Sequence, residues 1–339
     1  MNYKAFSPDM TCGDKQYAEN TAYDGPDTCC ESPLDCLDHL QLVDTDGKTS
    51  IITDAEPLAE VSHNGNVLTT EKLRIGKRLS LTDIVKAAAN AIGKGAKAWA
   101  KITSNDGKDR ISSHGDWVRI SATGEGTHIA AEGQGTQISA TGVKSRIGSC
   151  GGWNQISSSN LSACIISSGQ GALIASSGDI VQIASSGKDA RISASGDKSR
   201  ISSTGIDGRI SSTGDSAFIG SSAPRARVSS SGDWAQITSG IKQARISASG
   251  EEAYIISTGA KARISASGED TSINSTGNDA VLAAIGANSR AKGKLGSWIV
   301  LAEYDNHGKP LCVRAAQIDG EKLHPDIYYT LVGGEFRYA

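Results

Sequence analysis

A branched apolar residue returns at every ninth position from Ile102 to Leu282, and no insertion breaks the count. The stretch RISASGDKSRISSTGIDGRISSTGD, from Arg191 to Asp215, shows the unit plainly as Arg-Ile-Ser-small-Ser/Thr-Gly, written repeatedly. A short fixed period constrains a chain strongly, because one unit cannot bury its apolar side alone and must stack on its neighbours. Nine residues make one strand of about five and one tight turn. Strand alternation sends Ile inward with the small residues two before and two after it, such as Ala190 and Ala194 around Ile192. The residue before Ile, the Ser after it and the Ser or Thr three after it point outward. Gly stands four residues after Ile in most units, where it is expected to supply a backbone angle that other residues resist.

A single such strand cannot close on itself, so two form one coil of eighteen. The charges support this independently. The residue after the corner Gly is acidic in alternate units, at Asp179, Asp197, Asp215, Asp233, Glu251 and Glu269. The residue before Ile is Arg in those units, at Arg191, Arg209, Arg227, Arg245 and Arg263. The expected fold class is therefore mainly β. It is a two-sheet parallel β-solenoid of nine-residue half-coils, with about ten coils and a length of about 48 Å. One long edge collects the Arg column with Lys188, Arg225, Lys242 and Lys261, diluted by Asp189 and Asp207. The opposite edge collects the acidic column with Glu252 and Asp270. One face is a Ser and Ser/Thr array, for example Ser193 and Ser195, then Ser211 and Thr213. The other carries Ile166, Ala184, Gly220 and Ile256 outward and is the expected surface for self-association.

Composition suits so thin an interior, since 39 glycines and only 5% aromatics leave little for a thick core. A net charge of −3 implies neither general nucleic-acid affinity nor a polyanionic tail. The start, MNYKAFSPDM, lacks the basic and apolar runs of a secretory signal, and no apolar window of about 18 residues exists. A cytoplasmic protein without a membrane span is expected. Cys12, Cys29, Cys30 and Cys36 crowd the first forty residues, while Cys150, Cys164 and Cys312 are scattered. The spacing fits no standard zinc pattern and no disulfide framework, so neither metal nor cofactor is assigned and reduced thiols are expected.

Residues 1–100 lack the repeat and read as a small α+β domain, with a helix from about Thr82 to Ile92 capped by Ser80 or Thr82. The helix precedes the first coil and is expected to cover the open solenoid end. The solenoid occupies 101–290. Residues 291–339 read as a C-terminal β cap, with hairpins turning at Asn306-His307-Gly308 and around Gly333-Gly334.

The stretches YKAFSPDMTC, CCESPLDCLDHL and TTEKLRIGKRLSL, with GSWIVLAEYD and VRAAQIDGEKLHPDIYYTLVGGEF, carry a resemblance. With the Gly/Ser-rich repeats between them, they resemble a family encoded by phages and prophages that has a domain of unknown function. The chain departs from that pattern after its first Cys, where GDKQYAEN replaces an aromatic-rich stretch. The resemblance implies a phage context and a host-cytoplasmic setting, and no activity or site residue.

Enzymatic chemistry is weakly signalled. His39, His63, His114, His128, His307 and His324 are scattered. His114 and His128 fall outward on the first coils and could pair with Glu132 as a metal or acid–base site, or be solvated repeat variants. No Gly-x-Ser-x-Gly elbow has plausible partners. Tight corners leave no cleft for paired carboxylates. GEGTHIAAEGQG and GKGAK are weak as phosphate loops, because neither lies between a strand and a helix. Trp117, Trp153 and Trp234 fall at corners, where they could anchor a partner or cover the corner. The Arg column is the strongest binding candidate, offset by nucleic acid, by the acidic edge of another copy, or by bulk salt. The expectation is a non-enzymatic interaction protein binding a host or phage protein, with interference in host defence one form. Nucleic-acid binding along the Arg edge and a structural virion or fibre role are the alternatives. An ice-binding Ser/Thr face is disfavoured because Arg interrupts it, and DNA mimicry because the acidic edge lies beside a basic one.

Overall fold

The computed structural model describes residues 2–38, 41–65, 67–92 and 100–339. His39 and the GKGAK stretch at 93–97 lie outside the described residues. The chain divides into two compact units, Met1–Gly187 and Lys188–Ala339, and each carries a run of solenoid coils.

The chain is a mainly β protein built on a parallel β-solenoid of about 11 turns with an 18-residue period. In the first unit, Ile102, Ile120, Ile138, Ile156 and Ile174 stand in register on one sheet. Ile111, Ile129, Ile147, Ile165 and Ile183 do so on the other. The second unit repeats this with Ile192, Ile210, Val228, Ile246, Ile264 and Leu282 on one sheet. Its second sheet aligns Ile201, Ile219, Ile237, Ile255 and Ile273. Strands such as Arg209–Ser212 alternate exposed and buried residues as the sequence demands. Each inward Ile contributes about 2 kcal/mol by burial, and the thin core depends on repetition of that small gain.

The inward residue two after Ile is less comfortable. Ala194, Ser212, Ser230, Ala248 and Ala266 form one such column. The hydroxyls of Ser212 and Ser230 are buried without a hydrogen-bond partner among the described residues. An unpaired buried hydroxyl costs free energy that alanine does not. Ser230→Ala is therefore expected to raise stability by about 1 kcal/mol in urea unfolding. A loss of similar size would show that this hydroxyl has a partner and that the ladder is favourable.

Glycine at the corner has a different cause from the one expected. A Cβ on Gly232 would lie 2.1 Å from the carbonyl oxygen of Gly214, and one on Gly268 would lie 1.9 Å from that of Gly250. Neither glycine has a positive φ. The left-handed residue comes two positions later and is usually not glycine: Lys198 at 54°, Trp234 at 54° and Lys261 at 59°. The corner glycines are thus selected by close approach of successive coils.

The N-terminal segment forms an antiparallel sheet in the order Thr21–Cys30, Asn2–Phe6, Ile51–Pro57, Val67–Arg78, Val61–Asn64. Helix α1, Leu81–Ile92, follows it. Ser80 is its cap: the Asp83 N–H donates to Ser80 Oγ at 3.2 Å, and Ser80 Oγ donates to the Asp83 carboxylate at 2.6 Å. Ile84, Val85, Ala88 and Ala89 share one side of the helix and are buried. That side packs on strands Arg110–Ser113, His128–Ala131, Arg146–Ser149 and Cys164–Ser167. This corrects the expected end cap. The helix lies across several coils, on the smooth face expected to self-associate. In this unit Ala130, Ile166 and Ala184 are buried in one cluster with Ile84 and Val85. Gly148 is part of the fit, since a Cβ there would lie 3.1 Å from Val85 Cγ2.

In the second unit, antiparallel hairpins end both sheets. Trp298–Tyr304 pairs in parallel with Val281–Ala284 and antiparallel with Pro310–Gln317. Tyr329–Val332 pairs with Glu335–Tyr338 and, at Tyr329, with Ala291 of the last coil. The Glu303 carboxylate accepts the N–H groups of Gly333 and Gly334 at 2.8 and 2.7 Å, tying the hairpins together.

Candidate binding face

Five strands of the second unit begin with an exposed arginine: Arg191, Arg209, Arg227, Arg245 and Arg263. They are neighbours in register. No ion pair engages any of the five among the described residues. Outward beside them lie exposed Ser193, Ser211, Ser229, Ser247 and Ser265, then Ser195, Thr213, Ser231, Ser249 and Ser267. The result is a flat floor of small hydroxyls with guanidiniums along one border.

At the far end of the same strands stand Asp197, Asp215, Asp233, Glu251 and Glu269. Part of this column has a structural task that the sequence did not announce. The Asp215 N–H donates to Asp197 Oδ1 at 2.9 Å, the Asp233 N–H to Asp215 Oδ1 at 2.9 Å, and the Glu251 N–H to Asp233 Oδ1 at 2.7 Å. Each aspartate so holds the turn of the next coil. Asp179, at the same position in the first unit, is exposed. At the basic turn, Arg225 Nη2 donates to Asp207 Oδ2 at 2.6 Å, so its charge is paired. Lys188, Lys242 and Lys261 are exposed beside it.

The first unit holds a buried charge cluster. Arg110 Nη2 donates to both oxygens of Asp35, at 3.1 and 2.9 Å, and His128 Nδ1 lies 3.2 Å from Asp35 Oδ1. Arg146 Nη1 is 3.0 Å from His128 Nε2. Arg110, His128 and Arg146 are successive rungs of one sheet. The Asp35 side chain is 1% exposed. Burial pushes its carboxyl up, but the His128 hydrogen bond and the Arg110 charge outweigh burial and hold it below the ordinary value. His128 was expected on an open surface beside Glu132. It lies instead under the N-terminal segment with both ring nitrogens occupied. His114 alone meets Glu132, at 3.0 Å.

A second cluster fastens the N-terminal sheet. Lys4 Nζ donates to Asp27 Oδ1 at 2.5 Å and to the Thr28 carbonyl at 2.9 Å, and Tyr17 Oη donates to Asp27 Oδ2 at 2.8 Å. Burial, then the Asp27 bond, raises the Tyr17 phenol. The cysteines divide between two cores. Cys29 joins Phe6 and Tyr17, while Cys30 and Cys36 join Leu34 and Ile84, because successive residues of a strand face opposite ways. Burial pushes Cys164 up to about 12 and Cys29 to about 11, so both persist as thiols. No three His, Cys, Asp or Glu side chains among the described residues are grouped to hold a metal. Trp117 and Trp153 lie over glycines of the next coil. A Cβ on Gly135 would come within 2.4 Å of the Trp117 ring, and one on Gly171 within 2.7 Å of the Trp153 ring.

Fold and surface together define a β-solenoid with one open Arg–Ser face and one face covered, in the first unit, by its own N-terminal segment. Compared with protein-family models, curated proteins and solved structures, the chain matches none. Among the described residues no helix is long and apolar enough to cross a membrane.

Proposed function

We propose that this is a non-enzymatic interaction module that binds a protein through the Arg–Ser face, in the host cytoplasm of a phage or prophage. The observation that supports this most is the charge pattern of the face. Five rungs of the second unit open with an unpaired exposed arginine, and each is followed, in the turn beyond its strand, by an acid, as in Arg227 and Asp233. A border of guanidiniums balanced by a border of carboxylates suits a partner with both charges better than a polyanion. The phage setting rests on the resemblance of the termini alone, and interference with host defence follows from that setting. Seven free cysteines suit a reducing compartment. The non-enzymatic reading is supported by the buried His128, whose ring nitrogens are occupied, and by Cys29 and Cys164, whose thiols burial raises.

Affinity capture from phage-infected cells with the wild type and with Arg209→Ala/Arg227→Ala/Arg245→Ala tests the reading. The wild type should retain a protein partner that the triple variant loses, with the fold unchanged by circular dichroism. Equal capture by both would refute the role of this face. Recovery of nucleic acid with a steep salt dependence would replace the protein reading with the nucleic-acid one. Abundance in purified particles would replace it with a structural role.

A further inference from the structure

The geometry points to a second copy of this chain as the occupant of the Arg–Ser face, joined face to face by a two-fold axis along the stacking direction. This deepens the proposed function and rests on it for the choice of face.

The argument begins with one strand. Arg209 opens the segment Arg-Ile-Ser-Ser-Thr-Gly-Asp and Asp215 closes it, six residues on. The strand covers Arg209–Ser212 and Asp215 lies in the turn beyond it, so at ~3.3 Å per residue the two charges stand at most about 20 Å apart. The same polarity recurs from Arg191 to Asp197, Arg227 to Asp233, Arg245 to Glu251 and Arg263 to Glu269. All five segments run the same way, because their sheet is parallel and in register. The face therefore carries a positive border and a negative border, both spaced at the inter-strand distance of about 4.8 Å.

Two such faces can be apposed with opposite strand directions or with the same one. Rotation about the stacking axis reverses the strands and keeps the coils level. The Arg border of each copy then meets the acidic border of the other on both sides. Arg209 faces Asp215 of the partner subunit, and Arg245 faces Glu251 of the partner subunit. The alternative rotation, about the strand direction, lays arginine on arginine and is opposed by like charge. Equal spacing on both borders lets every rung pair at once, which isolated surface ion pairs do not achieve. Between the borders, exposed Ser211, Ser229 and Ser247 leave a floor low enough for the sheets to approach. The five rungs that carry both charges span about 24 Å by at most about 20 Å, so the contact buries at most about 1,000 Å² in total. That is the scale of a reversible dimer.

The test uses the full chain and sedimentation over a range of concentration. The wild type should dimerise at low salt and dissociate at high salt. Arg245→Glu/Arg263→Glu alone, and Glu251→Lys/Glu269→Lys alone, should each weaken self-association roughly tenfold or more. Glu251 and Glu269 are chosen because no backbone bond to their carboxylates accompanies those of Asp197, Asp215 and Asp233. An equimolar mixture of the two variants should restore the dimer, since the reversed borders complement each other. A wild type that stays monomeric, or folded variants that fail to pair on mixing, would overturn the inference. If the wild type is monomeric while Arg-dependent capture of a different protein persists, the dimer falls and the proposed function stands.

Discussion

Gly250→Ala is expected to lower stability by about 3 kcal/mol, near the upper range for overpacking a tight site. A Cβ on Gly250 would lie 2.1 Å from the Gly232 carbonyl oxygen and 2.4 Å from its carbon. Both atoms belong to backbone, and the coil beneath is fixed by its own hydrogen bonds, so neither can move aside cheaply. Urea unfolding should show the loss. The neighbouring Ser249→Ala, at an exposed position, should stay within about 0.5 kcal/mol of wild type. The chain itself departs from glycine at Asp106, Asn160, Ala223 and Ile241, and at the last two a backbone hydrogen bond closes the turn, as it also does at Gly205. The Ala226 N–H donates to the Ala223 carbonyl at 3.3 Å, and the Ala244 N–H to the Ile241 carbonyl at 3.4 Å. A Gly250→Ala protein as stable as wild type would show that the coils are not in that close contact.

Asp35→Ala should cost roughly 3 kcal/mol in the first unit, because it leaves the partly buried Arg110 and the buried His128 without their shared partner. Asp35 satisfies Arg110 and His128 together, and Arg146 stands behind His128. Asp35→Asn, which keeps an acceptor and loses the charge, should fall between. The effect has a definite pH dependence. The folded carboxyl lies below its ordinary value, so its contribution is present above the ordinary carboxylate range and is lost as pH falls through that range and below. The gap between wild type and Asp35→Ala should therefore narrow in acid. Limited proteolysis of the N-terminal segment, alongside urea unfolding, would read both effects. Equal stability of the two proteins at neutral pH would show that this cluster does not anchor the segment.

Most of the solenoid was legible from periodicity because a stacked coil repeats one local environment. Ile at every ninth position, small residues two away and charges at every eighteenth position each report the same rung. The polarity of the Arg–Ser face was legible for the same reason. Contacts between distant segments have no such signature. Asp35 and Arg110 are 75 positions apart, and nothing in DCLD or in Arg110 itself announces the pairing. Helix α1 was recognisable from its cap and its apolar side, but those features match the end of the solenoid as well as its flank. Gly148 opposite Val85 was the available clue, and it reads as one more glycine in a glycine-rich chain.

The division follows from the range of the forces involved. Strand period, inward and outward parity, register and the two charged borders arise within eighteen residues, so the order of residues prescribes them. Which face the N-terminal segment covers depends on chain folding back across many coils, and so does the burial of His128. So does the cause of the corner glycines, since the carbonyl that excludes a Cβ belongs to the coil before. Those features exist only once the rungs are stacked and the long-range contacts have formed.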